Sequence, residues 1–283
     1  MGPIKCPRCG AEVEYYRSNC INGHFIGFPN VRRAQEMVAD LSRHYVAAVA
    51  DAASRRVVSR VRELERLLQT TVATINVRPN ILRNMALGQN YVNYYNALGH
   101  HARKIAERAY HAHRSAVDDK IHTGYGEEIL NAALSPDGRG LTNYGPITLE
   151  LREVSIDDRA SVMRENSFDF YDRYKLGDRD AVEEPGWRST WADRARLGVA
   201  HLAPFVSAAT AEADLPIVVL SNGTTRHGDR YMEVHIYGEL SWQTLKRVTL
   251  AQPLTTTEEQ DDWFFGRQKL RHRDVDIVDP IYP

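Results

Sequence analysis

The sequence predicts an α+β protein in which a small metal-binding knuckle and a helical region precede a β-rich second half. Three observations carry this. All three cysteines fall within the first 20 residues. Apolar residues recur at helical spacing over residues 31–68, with no Gly or Pro between them. After Ile121 the composition shifts to frequent Gly, Pro and Asp, with short period-two apolar runs. The 283 residues are 43% hydrophobic and 26% charged, which suffices for a buried core and excludes wholesale disorder.

The first element reads Cys6-Pro7-Arg8-Cys9-Gly10, followed by Cys20-Ile21-Asn22-Gly23-His24. Thiolates and imidazole are the donors zinc takes in a closed tetrahedral site. The Cys-x-x-Cys spacing sets two thiolates on one tight turn, with Gly10 free to take a positive φ. Residues 11–16 between the two pairs read as a short strand. A thioredoxin-like redox pair would end a strand of a βαβ unit, whereas this pair opens the sequence. The expectation is a structural zinc held by Cys6, Cys9, Cys20 and His24, with no open position for catalysis. So short a segment cannot build a core, and the metal would replace it.

The chain then divides into a helical region (29–122), a β-rich domain (123–254) and a C-terminal tail (255–283), behind the knuckle (1–28). Phe25, Ile26 and Phe28 are expected to pack the knuckle onto the helical region. Asn30 suits the N-cap of a long helix, or of two abutting helices, running to residue 68. Its exposed face is rich in arginine: Arg55, Arg56, Arg60, Arg62 and Arg66. Pro79 breaks the pattern, and a second helical region runs from about residue 80 to 120. That region clusters Tyr91, Tyr94 and Tyr95 with His100, His101, His111 and His113. Residues i and i+2 of a helix do not share a face, so His111 and His113 predict a polar seam rather than a metal site. In the second half, residues 147–151, 217–220, 230–237 and 248–250 read as strands and 191–211 as a helix. Residues 135–140 form a turn or binding loop, and 175–190 a long surface loop. Trp263, Phe264 and Phe265 form an apolar clamp in the acidic tail.

Charge is uneven. Residues 1–120 carry a balance of +8 and residues 121–283 a balance of −9. Such asymmetry marks either a nucleic-acid-facing half or two halves that attract each other. No window approaches 18 uncharged apolar residues, which excludes a transmembrane helix and a membrane partner. The N-terminus has no apolar h-region, so a secretory signal peptide is not expected and the expected compartment is the cytoplasm.

The familiar catalytic signatures are absent. There is no Walker A motif, no Gly-x-Gly-x-x-Gly after a strand, no His-Glu-x-x-His and no Gly-x-Ser-x-Gly. Three segments of the second half remain: Ala132 to Gly145, Arg159 to Ser167, and Tyr231 to Leu240. In the third, Met232, Val234 and Ile236 alternate with Glu233, His235 and Tyr237, so the polar three share one strand face. That face is either the floor of a polar cleft or the solvated side of a half-exposed strand.

These segments resemble the ADP-ribosyltransferase-type domains of bacterial toxins and some phage head proteins. The shared pattern is the Tyr144-Gly145 pair, the Arg159-x-Ser161 and Asn166-Ser167 segment, and a late strand carrying Glu233 before Ile236-x-Gly238. It spans about residues 120–250. The resemblance implies a split β-sandwich that clamps NAD, with Glu233 as the catalytic glutamate. Cleaving the nicotinamide–ribose bond develops an oxocarbenium-like cation, which a fixed carboxylate stabilises. By the same resemblance Ser161 supports the site, Arg139, Arg152 or Arg159 holds the pyrophosphate, and Tyr144 or Tyr237 stacks on nicotinamide. His235 orients the acceptor or acts as a base. The position two before the catalytic glutamate, acidic or amide in arginine-directed members, is Tyr231 here, which argues against protein arginine as acceptor.

The leading expectation is therefore an NAD-dependent ADP-ribosyltransferase acting as an intracellular toxin or defence effector on nucleic acid or protein. Its partners would be NAD, nucleic acid along the basic N-terminal half, and a neutralising antitoxin or immunity protein. The alternative is a non-catalytic zinc-containing module that binds nucleic acid or protein. A nuclease is a third reading, but Asp157, Asp158, Glu165 and Asp169 lack a diagnostic metal spacing.

Overall fold

The computed structural model describes residues 2–99, 108–178, 181 and 185–279. The knuckle holds two short strands, β1 (Ile4–Lys5) and β2 (Glu12–Val13), paired antiparallel. The one long helix or two abutting helices expected are three: α1 (Pro29–Glu36), α2 (Val38–Ser54) and α3 (Val58–Gln69). Breaks come at Met37 and at Arg56, the latter with a φ of 59°. Pro29, not Asn30, opens α1, because proline at the first helical position forfeits no hydrogen bond. Asn30 lies inside that first turn with its side chain buried.

β3 (Val72–Val77) comes next, and it lies within the region expected to be all helical. Ala73, Ile75 and Val77 recur with a period of two and four of its six residues are β-branched, but helices on either side obscure the signal. The second helical stretch is also broken, into α4 (Pro79–Ala86), α5 (Tyr94–Gly99) and α6 (Arg108–Ile121). His100 and His101 fall outside the described residues. His111 sits 3.2 Å from the Tyr94 hydroxyl, and His113 packs on Phe168 and Tyr171.

The remaining elements are β4 (Ile129–Ser135), β5 (Ile147–Leu151), β6 (Ala160–Met163), α7 (Ser167–Arg173), β7 (Arg188–Thr190) and α8 (Arg194–Leu202). Then come α9 (Leu215–Val219), β8 (Leu220–Ser221), β9 (Arg230–Tyr231), β10 (Glu233–Tyr237), β11 (Leu245–Leu250), α10 (Thr257–Arg271) and β12 (Asp276–Val278). Residues 217–220, expected as a strand, are mostly helix, since Pro216 in the first turn favours the start of α9. The tail expected as a clamp is α10, opened by a capping box between Thr256 and Glu259. It buries Trp263 but leaves Phe264 exposed.

Eight strands share one hydrogen-bonded order, β12-β11-β5-β3-β4-β10-β6-β7. All neighbours are antiparallel except β11 and β12. The α+β class is thus as expected, and β3 joins two groups of strands. The joint is partial. β3 pairs with β4 only over Val72, Ala73 and Thr74, and with β5 from Thr74 to Val77. Beyond Thr74 the β3–β4 ladder opens.

Strand alternation sorts the two faces. Leu130, Ala132, Leu134, Ile147, Leu149, Val162, Val234 and Ile236 point into the main core with α2, α3 and α8. The opposite face carries Asn131, Thr148, Glu150, Ser161, Glu233 and His235; α1 lies against its β6–β7 end, and α6 and α7 pack there around Met163 of β6. The arginines of the α2–α3 break and of α3 divide. Arg55 donates to the Val206 and Ala203 carbonyls and Arg60 pairs with Glu63, while Arg56, Arg62 and Arg66 are exposed. No helix among the described residues is long and apolar enough to cross a membrane.

Candidate functional site

Two sites emerge, a metal knuckle and a cleft. In the knuckle, Cys6, Cys9, Cys20 and His24 bring one donor atom each within 4.8 Å of all the others. The Gly10 N–H donates to the Cys6 carbonyl and the Gly23 N–H to that of Cys20, which makes the two turns. Both glycines take the positive φ expected for Gly10, 71° and 76°. Cys9 Sγ lies 3.8 Å from Cys20 Sγ, and Cys6 Sγ lies 3.7 Å from His24 Nδ1. A tetrahedron with metal–sulfur bonds of about 2.3 Å has edges of about 3.8 Å, so the donor set fits a closed metal site. The Ala11 N–H, Asn22 and His24 lower the Cys9 thiol to about 6, whereas burial pushes Cys6 up. Arg32 of α1 anchors the knuckle by donating to the Tyr15, Arg17 and Gly27 carbonyls.

The cleft, of about 170 Å³, opens where β3 and β4 part. Ile75 and Asn76 line one side and Asn131, Ala132 and Ala133 the other, with Glu233 on the floor. Tyr144 enters from the turn before β5. There a Cβ on Gly145 would lie 2.4 Å from the Val77 carbonyl oxygen, so only glycine lets the chain pass this close. Tyr231, Asn166 and Phe168 complete that wall, and Asn166 Nδ2 donates to the Tyr231 hydroxyl at 2.6 Å.

Glu233 is 3% exposed. Its Oε2 accepts from the Ser167 N–H at 2.8 Å and from Ser167 Oγ, and His235 Nε2 approaches at 3.1 Å. Burial opposes the charge, but His235 and the two Ser167 donors outweigh it, and the carboxyl titrates below its ordinary range. For His235 burial wins over the support of Glu233, and the imidazole stays neutral at pH 7. Neutral His235 therefore donates from Nε2, shared between Glu233 and Ser167 Oγ, the latter also at 3.1 Å. No hydrogen bond from the described residues reaches Oε1, and Glu233 lines the cleft. A serine-nucleophile triad is excluded, because the carboxylate and the hydroxyl meet the same imidazole nitrogen.

His235 is itself fully buried behind Glu233, with His122 edge-on at 4.4 Å between centroids. The His235 Nε2 is turned to Glu233 and Ser167, and the ring is not among the residues that line the cleft. Ser161 pairs with His235 across β6 and β10 and is buried, so it supports the strand beneath the site. Three expected cofactor contacts are not brought to Glu233. Arg139 is exposed on the 136–140 turn beside Asp137. Arg159 donates to the Ser155, Tyr237 and Glu239 carbonyls. Tyr237 stacks on Phe28 at 5.1 Å, at the knuckle end of β10. Arg152, at the other sheet edge, is held by the Leu245 and Asp274 carbonyls. The sequence marks Asn166 and Ser167 only as part of a motif, and it does not single out His122, Asn30 or Arg226 as site residues.

Asn30 ties α1 to this floor. Its Nδ2 donates to the Arg159 and His235 carbonyls, both at 3.0 Å, and lies 3.4 Å from Ser161 Oγ. Asn30→Leu removes two hydrogen bonds to the floor, although the Arg159 carbonyl keeps the Tyr237 N–H, and is expected to cost about 1–3 kcal/mol. Urea unfolding checks this: the midpoint should fall with the slope unchanged.

The buried histidines also set a pH dependence. His122 is held well below its ordinary value by burial, then by His235 and by Arg188, Arg33 and Arg114. Burial lowers His201 to about 4. Below about pH 6.5 the unfolded chain therefore binds more protons than the folded one, and stability falls with pH. Glu233 adds to the loss further down, below about pH 4.3. The thermal midpoint should be lower at about pH 5 than at pH 7, and His122→Phe should flatten that difference; an unchanged slope would place the proton elsewhere.

Compared with known proteins, the chain matches no family model, and no curated protein matches it.

Proposed function

We propose that the cleft binds NAD and that the protein is an ADP-ribosyltransferase whose catalytic carboxylate is Glu233. The observation that carries this is the carboxylate itself. It is buried, ionised and fixed through one oxygen, with the other turned to a cleft walled by Tyr144, Tyr231 and Phe168. About 170 Å³ is small beside the roughly 300–1,000 Å³ of sites that enclose a drug-sized ligand. It suits one ring, with the rest of the dinucleotide lying outside. The opened β3–β4 ladder leaves main-chain donors and acceptors without a strand partner, which suits a carboxamide. In the reaction the C1′–N bond of the ribosyl nicotinamide breaks and its electron pair leaves with nicotinamide. Glu233 stabilises the developing cation, the acceptor nucleophile bonds to C1′, and its proton passes to solvent. Ser167 and His235 hold the carboxylate in place.

Zinc is the proposed metal of the knuckle, since three thiolates and one imidazole favour it over harder cations. Nucleic acid is the proposed acceptor class, supported by exposed Arg56 between α2 and α3 and exposed Arg62 and Arg66 on α3. The same arginines support the second reading, a nucleic-acid binding module without turnover.

The test is incubation of the purified protein with adenine-labelled NAD and a cell lysate, followed by nicotinamide measurement and by protease or nuclease digestion. Nicotinamide release with label lost to nuclease is expected. Label lost to protease would move the acceptor to protein. Neither release nor label would sink the transferase and leave the binding module.

A further inference from the structure

Arg226 lies in the 222–229 loop between β8 and β9, and it lines the same cleft. The loop is firmly built. Asn143 Nδ2 donates to the Gly223 carbonyl at 3.0 Å and to Asp229 Oδ1 at 2.8 Å. The Gly223 N–H donates to the same Asp229 oxygen at 2.8 Å. Asn222 Oδ1 accepts from the Thr142 N–H at 2.8 Å, and Asn222 Nδ2 donates to the Gly140 carbonyl at 3.2 Å. Gly223 and Gly228 touch main chain to main chain, where a Cβ on Gly223 would come within 2.4 Å. This latch joins the loop to the turn that carries Tyr144.

The Arg226 side chain is oriented by the same turn. Its Nε donates to the Asn143 carbonyl at 3.0 Å, and its guanidinium lies over the Tyr144 ring at 4.7 Å. Both terminal nitrogens make no hydrogen bond or ion pair among the described residues. The other cleft cation, Arg114, differs: its Nε lies 3.3 Å from Asp118. An exposed arginine held by its Nε and its flat face, with its two Nη groups open at a cleft mouth, has the geometry for a bidentate oxyanion.

We infer that Arg226 forms a phosphate subsite at the mouth of the cleft, taking a pyrophosphate or phosphodiester group. The inference rests on the reading of this cleft as a ligand site. Two sources share that chemistry: the pyrophosphate of a dinucleotide in the cleft, and the backbone of a nucleic-acid acceptor arriving at it. The arginines expected from sequence for this task, Arg139, Arg152 and Arg159, are turned elsewhere or already bonded.

The full-length protein, Arg226→Met and Arg226→Lys are titrated at low salt with inorganic pyrophosphate, NAD and a short single-stranded oligonucleotide. Nicotinamide and adenosine serve as probes without phosphate. Arg226→Met should weaken the phosphate-bearing probes about 10- to 100-fold, with Arg226→Lys intermediate and the other two probes unchanged. Loss confined to pyrophosphate and NAD assigns the dinucleotide, and loss confined to the oligonucleotide assigns the acceptor. The subsite is overturned if the wild-type protein binds no phosphate probe. It is equally overturned if Arg226→Met binds them all normally, or loses nicotinamide and adenosine to the same degree. Nicotinamide release from NAD is monitored in the same samples. Absence of release together with Arg226-dependent pyrophosphate binding would sink the transferase reading and leave the subsite standing.

Discussion

Glu233→Gln is expected to slow nicotinamide release from NAD by about 10²–10³-fold while leaving the fold intact. The amide has nearly the shape of the carboxylate, so the packing beneath it is kept. Its orientation is also dictated. The Ser167 N–H, the Ser167 hydroxyl and His235 Nε2 all converge on Oε2, so the amide oxygen must take that place. The NH2 group is then forced toward the cleft, where the proposed reaction would develop its cation. A negative oxygen is replaced by a partly positive nitrogen at the point where charge matters most. Ser167→Ala tests the support separately. It keeps the carboxylate but removes one donor, so the rate should fall less, about tenfold, and the pH at which activity is lost should move upward. A Glu233→Gln protein that released nicotinamide at the wild-type rate would remove the basis for assigning this residue.

Removing the metal is expected to unfold residues 2–28 while the eight-stranded sheet persists. The apolar core of this segment amounts to Val13 and the buried faces of Cys6 and Cys20, with Ile4 and Ile26 at its edge. That is far too little to offset the chain entropy of some two dozen residues. A structural zinc supplies about 10–16 kcal/mol in comparable small sites, which makes metal binding and folding of the knuckle one event. Chelation or Cys20→Ser should therefore open the segment to trypsin after Arg8 and Arg17, and its amides should exchange rapidly. Amides of β4, β5 and β10 should stay protected. Protection of the knuckle that survives complete metal removal would contradict this.

What is legible in the sequence lies close along the chain. The four knuckle donors fall within 19 residues, and the alternation of Glu233 and His235 against Val234 is a local pattern. What is hidden depends on pairings between distant elements. Ser167 starts a short helix 66 residues before Glu233, and nothing local says its hydroxyl meets that carboxylate. Asn30 carries the composition of a helix cap, yet Pro29 shifts the helix start and turns the amide inward onto strands β6 and β10. The start of α10 is written in the sequence as Thr256-x-x-Glu259, but the aromatic run after it is the more conspicuous signal. Arg226 has no sequence signature, because its role comes from what the loop is latched to.

The placement of β3 has a consequence for how this chain can be taken apart. The strand comes from the basic first half, yet it sits between β4 and β5 of the acidic second half. A fragment cut at residue 123 would keep Glu233, Ser167 and Tyr144 but lose the strand that hydrogen-bonds both groups of the sheet. It would also lose one wall of the cleft and the helix carrying Asn30. The region resembling a catalytic domain is thus not a portable cassette. Any transplant or fusion of this cleft has to carry the N-terminal half with it.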